Sequence, residues 1–141
     1  MKNGILFIFF TIFSISIHAQ TIFGKWHSKN DDTGEVDSVI EVYEKNGKAF
    51  AKVIEVKDPE RQDAVCELCE GKNKGKKILG LDILTGLEKD GNEWSGGTIL
   101  DPRNGKVYKC YIALEKPNKL KLRGYIGFSM FGKTAYWERA K

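Results

Sequence analysis

Three cysteines and a pair of adjacent acids are the residues whose spacing invites a chemical reading. Cys66-Glu67-Leu68-Cys69 forms a C-x-x-C in a polar stretch. In an oxidising compartment two thiols so placed close into a disulfide, and a bridge across so short a loop stiffens the loop more than it holds the fold. A redox dithiol would need its first Cys at a helix N-terminus beside a βαβ sheet, and no such pattern surrounds Cys66. Zinc would recruit Cys110 and His27 into a Cys3His set, which lacks the second half of a C-x-x-C…C-x-x-C arrangement. A Cys66–Cys69 disulfide is therefore expected, with no metal and no cofactor, and Cys110 reads as a small buried hydrophobe in a strand.

Hydrolytic and phosphoryl chemistry find little to work with. No Gly-x-Ser-x-Gly and no phosphate-binding glycine pattern is present, and Ser28, Ser38, Ser95 and Ser129 lack a recognisable base partner. Asp31-Asp32 could act as paired carboxylates, but next to Thr33-Gly34 they read as a turn. Glu41 and Asp82 fall in strands and decorate an outer face. Lys72, Lys74, Lys76 and Lys77 could meet a phosphate or an anionic head group, yet Glu60, Asp63, Glu67 and Glu70 in the same stretch offset them, so a solvated face is expected and no nucleic acid. The expectation is a binding protein, not an enzyme.

What positions these residues is one domain behind an address. The chain has 141 residues, 30% charged, with three Trp, five Tyr and eight Phe, a composition that suits one globular core and excludes a polytopic membrane protein or a disordered chain. Lys2 followed by the apolar run Gly4 to Ile17 reads as a signal peptide spanning residues 1–19, cut after Ala19. The run is short for a membrane span, so the mature chain, residues 20–141, is expected to be exported to the periplasm or the extracellular space, with no transmembrane span of its own. Its 22 basic and 19 acidic residues name no partner.

From Phe23 onward the hydrophobic period is that of strands. Asn46-Gly47 is a type I′ hairpin signal between Val36 to Tyr43 and Lys48 to Val56. Turns at Asp90-Gly91-Asn92, at Asp101 to Gly105 and at Pro117-Asn118 cut out Glu93 to Leu100, Val107 to Leu114 and Lys119 to Ile126. Ile22 to His27, Lys77 to Leu84 and Lys133 to Arg139 complete eight strands of an antiparallel meander. Alternation sends Leu120, Leu122 and Ile126 inward, and puts Tyr108, Cys110, Ile112 and Leu114 on one face. With no helix to cover the dry face, closure into an all-β, up-and-down barrel is the economical solution; a two-sheet sandwich meets the same constraint. Lys57 to Lys76 is the longest irregular stretch.

Gly24-Lys25-Trp26 resembles the G-x-W of lipocalins and other calycin barrels, in which that Trp closes one barrel end beneath a basic residue of the last strand. The resemblance assigns the closing role to Gly24, Trp26, Trp137 and Arg139, with the Arg139 guanidinium on the Trp26 ring. A wider resemblance spans nearly the whole mature chain. Gly24-Lys25-Trp26, the Cys66/Cys69 loop, Ile78-Leu79-Gly80-Leu81, Trp94 to Gly97, Ile99-Leu100-Asp101-Pro102, Gly105-Lys106-Val107-Tyr108, Leu122 to Gly127, Phe131-Gly132 and Trp137-Glu138-Arg139 look like the exported bacterial family called domain of unknown function 2147. What this implies is a secreted or periplasmic barrel-like domain whose role the family does not supply.

The candidate binding segment is Arg123 to Thr134, where Gly124, Gly127 and Gly132 alternate with apolar bulk. Arg123, Tyr125, Phe128, Met130 and Phe131 are the candidate ligand-binding residues at a barrel mouth, with Arg123 on the rim. The competing expectation is that these aromatics plug the barrel and finish a filled core. The partner would be a small apolar or amphipathic ligand in the first case and a component of the bacterial cell envelope in the second.

Overall fold

The computed structural model describes residues 20–141; the segment read as a signal peptide lies outside the described residues. Eight antiparallel strands close into a single up-and-down barrel in chain order: β1 Gly24–Lys29, β2 Val36–Lys45, β3 Lys48–Val56, β4 Asp82–Asp90, β5 Glu93–Asp101, β6 Lys106–Lys116, β7 Lys119–Tyr125 and β8 Gly132–Arg139. The closed ring decides against the sandwich. Its seam is short, with only Trp26 opposite Arg139 and His27 opposite Glu138 pairing β1 to β8.

Meander connectivity sorts the connections onto two ends. The turns at 46–47, 91–92 and 117–118 lie at one end, where Asn46 and Gly47 take φ of 53° and 75° as a primed hairpin turn requires. Residues 30–35, 57–81, 102–105 and 126–131 gather at the other. Inward positions near the tight-turn end hold the buried core, including Trp26, Val42, Ala49, Ala51, Leu87, Ile112 and Leu120. In β7 the alternation holds as read, with Leu120 and Leu122 buried between half-buried Lys119, Lys121 and Arg123.

Three expectations are corrected. The strand placed at Lys77 to Leu84 is instead β4, beginning at Asp82 and running to Asp90. Lys77 to Leu81 close the preceding loop: Ile78 N–H donates to Ala64 and Gly80 N–H to Val53. The strand then continues past Leu84 through a bulge, since Leu84 faces Ala51 while Leu87 faces Ala49. β1 starts at Gly24, not Ile22, because Ile22 tucks under the barrel, where its carbonyl accepts the Trp26 Nε1–H at 2.8 Å. Ile126 is not an inward residue, because β7 ends at Tyr125 and the chain turns away into the loop.

Candidate functional site

The two ends have different chemistry, and the closed end comes first because it makes the other a dead-end cup. Trp26 is fully buried, and the Arg139 guanidinium carbon lies 4.2 Å from its ring centroid. The guanidinium donates from Nε to Pro117 O at 2.9 Å, from Nη1 to Phe23 O at 3.1 Å and from Nη2 to Thr21 O at 2.7 Å. One side chain therefore stacks on the ring and satisfies carbonyls from the entering segment and the β6–β7 turn. A ring–cation contact of this kind is worth about 0.5–2 kcal/mol. Gly24 is required here: its φ is 125°, and a Cβ would stand 3.2 Å from Arg139 Nη1. Phe23 packs edge-on against Trp94 at 5.4 Å, and buried Trp137 faces inward from β8.

Above this floor the barrel opens toward the long connections. A cavity of about 1050 Å³ opens among the long connections. Its depth is apolar, with Ile40, Val53, Ile83, Ile99, Leu122 and Trp137 on the wall. Residues at Gly124 and Ala135 are too small to fill the space their strands enclose. Its rim is charged, carrying Asp31, Asp37, Asp58, Asp101, Lys57, Arg61, Arg103 and Lys133. A smaller cleft of about 320 Å³ adjoins the rim between the disulfide loop and the β5–β6 turn, sharing Arg61 and Arg103 with the main cavity. Apolar depth with a ring of polar groups is the usual build of a small-molecule site.

A charged tie crosses the rim. Arg103 clasps Asp101 with Nε and Nη2 at 3.1 and 3.3 Å, and its Nη1 stands 3.6 Å from Asp31. Lys133 at the start of β8 donates to the same Asp31 carboxylate. Asp31 and Arg103 come from two connections, and Asp101 and Lys133 from the ends of β5 and β8 that border them. The Lys133 hydrogen bond, working against burial and helped by the charges of Lys133 and Arg103, holds the Asp31 carboxyl below the usual carboxylate range. The turn itself is as read: the Asn30 side chain accepts the backbone N–H groups of Asp32 and Thr33.

The candidate binding residues separate. Tyr125 and Phe131 line the cavity mouth, and Phe128 and Met130 stand away from it. Ile126 is 69% exposed, Phe128 75%, Met130 75% and Phe131 68%, so these side chains neither plug the barrel nor finish its core. Arg123 does not present a free guanidinium at the rim. It donates to Ser129 O at 2.7 Å, to Met130 O at 3.2 Å and to Thr134 Oγ1 at 2.7 Å, stapling the β7–β8 loop onto the barrel. Sequence reasoning missed the apolar wall and the Asp31–Arg103–Lys133 cluster. The wall residues read as ordinary core because alternation reports which side faces in, not whether the inside is full. The cluster has no local signal, since Asp31 and Lys133 stand 102 positions apart.

The disulfide joins Cys66 to Cys69, both buried, with Cα atoms 5.4 Å apart. It lies against the β5–β6 turn, where Cys66 Sγ approaches Pro102 O at 3.7 Å. Cys110 is a buried free thiol whose pKa burial pushes up to about 12. His27 sits on β1, and no cluster of metal-ligating side chains occurs among the described residues.

The comparisons with known proteins agree with this architecture. HP1028 from the human pathogen Helicobacter pylori, described as belonging to the lipocalin family, superposes with a TM-score of 0.76 over 87% of this chain and 85% of its own, at 22% sequence identity. At that identity the likeness is one of fold. A comparison with curated proteins returns no match. The family model described as "Uncharacterized protein conserved in bacteria (DUF2147)" matches residues 24–139, and the chain belongs to that family.

Proposed function

We propose that this protein is an exported binding protein that holds a small apolar or amphipathic molecule in its barrel and does not convert it. The observation that carries the reading is the cavity of about 1050 Å³, closed at the Trp26–Arg139 end and open at the other. Sites for small molecules typically enclose about 300–1000 Å³ with mostly apolar walls, and this one matches in size and lining. The apolar depth suits a hydrocarbon or aromatic body, while the rim suits a polar end left in water. A role as a filled-barrel envelope component has less support, because the interior above the floor is open.

Export fits the buried Cys66–Cys69 bridge, which persists in an oxidising compartment. Binding without conversion also fits the one free thiol, Cys110, which burial keeps protonated. Native mass spectrometry of protein purified from its own cell envelope tests the proposal. The expected result is a mass increment of a few hundred daltons, lost on delipidation. Only the bare mass, from material never exposed to detergent or organic solvent, would contradict it.

A further inference from the structure

The cavity accounts for the mouth but not for the loop that overhangs it. Residues 126–131 (IGFSMF) hold four large apolar side chains in water, and Val107 on the neighbouring strand β6 is exposed as well. Exposure of this kind is uncommon unless something covers it. We propose that this loop docks the barrel mouth onto an anionic lipid surface. The proposal rests on the cavity reading, because docking would bring the opening to the place where apolar ligands reside.

Three observations favour a bilayer over a protein. The tip of the loop is braced from within: Arg123 donates to the Ser129 and Met130 carbonyls, and Phe131 N–H donates to Phe128 O at 3.0 Å. Pairing these carbonyls lowers the cost of bringing the tip against the lipid headgroup region, where the remaining backbone groups can still meet water. Charge is segregated along the chain. Residues 106–139 carry eight basic and two acidic side chains, whereas residues 20–105 carry thirteen basic and seventeen acidic. Strands β6 to β8 thus make the basic side of a barrel otherwise negative, with Lys106, Lys109, Arg123 and Lys133 toward the loop and Lys116, Lys119 and Arg139 toward the closed end. Lys109 stands opposite Tyr125, Lys133 opposite Gly124, and exposed Val107 lies on the outer face of β6. Basic residues beside an apolar tip are what an anionic surface recruits. Finally, four side chains on a six-residue tip make a knob, not the broad patch of about 800 Å² per partner that stable protein pairs bury.

The test uses residues 20–141 carrying Met130→Cys, labelled at the new thiol with an environment-sensitive fluorophore; buried Cys110 and the bridged pair stay unlabelled. Vesicles of phosphatidylethanolamine and phosphatidylglycerol should raise the emission several-fold, vesicles of pure phosphatidylcholine much less, and high salt should reverse the effect. In sedimentation, the double variant Phe128→Ser/Met130→Ser, which leaves the cavity-lining Phe131 in place, should bind the anionic vesicles at least about tenfold more weakly, while its uptake of a fluorescent fatty acid stays at the wild-type level. Equal emission on both vesicle types, or none on either, overturns docking. So does a rise without lipid that scales with protein concentration, which would assign the tip to a second copy. Uptake without docking would sink this proposal and leave the cavity reading standing, and docking without uptake would do the reverse.

Discussion

At the scale of single residues, Arg139 does more than its place on the last strand announces. It covers the Trp26 ring and fills three carbonyl acceptors, so Arg139→Lys, which keeps charge but loses the planar fork, should cost about 2 kcal/mol in urea unfolding with little change in the denaturant slope. Cys110 should be silent: iodoacetamide at pH 8 without reductant labels nothing in the folded protein and one thiol after unfolding, as a buried thiol with a pKa near 12 requires. Labelling of native Cys66 or Cys69 would contradict the bridge. Asp31 supplies a pH dependence whose sign is fixed. Its folded pKa lies below its unfolded value of about 3.8, so its stabilising contribution is complete above that value and disappears as the pH falls through the folded pKa. Because the carboxylate is 47% exposed, the effect is small. The melting temperatures of wild type and Asp31→Asn should differ slightly near neutrality and converge in the acid range, and a gap that widens on acidification would refute the assignment.

At the scale of elements, the disulfide loop and the β5–β6 turn form one unit. A Cβ on Gly105 would stand 1.9 Å from Leu68 O, inside any possible contact, and its φ is 71°. Gly105→Ala should therefore lift the loop off the turn, lower stability by about 2 kcal/mol or more, and speed reduction of Cys66–Cys69 by a water-soluble phosphine. A reduction rate equal to wild type would mean that the loop is held elsewhere. Most strands were legible, since Val, Ile and Tyr alternate between turn residues of known type; β3 runs from Lys48 to Val56 as the hairpin signal predicts. The strand placed at Lys77 was misread because Ile78 and Leu81 are apolar for a different purpose: they seal the loop's underside with hydrogen bonds to Ala64 and Val53. Local pattern does not distinguish a strand edge from a loop that packs.

At the scale of the whole molecule, a ring of eight strands built from consecutive hairpins is closed by one long-range contact, the pairing of β1 with β8 through two residue pairs. The G-x-W start and the terminal Arg make that closure readable from the two ends of the chain, whereas the hollow could not be read: inward-facing Ile and Leu look the same whether they touch one another or line a space. That space is the central claim, and filling it is the direct test. Ala135 faces the cavity from β8 opposite Leu122, where a larger side chain would meet open volume. The decisive measurement is a titration of a fluorescent long-chain fatty acid into wild type and Ala135→Trp. Saturable binding near one molecule per wild-type barrel, reduced at least about tenfold in a variant of equal melting temperature, is the predicted result. No saturable binding by the wild type, or equal binding by both, would contradict it.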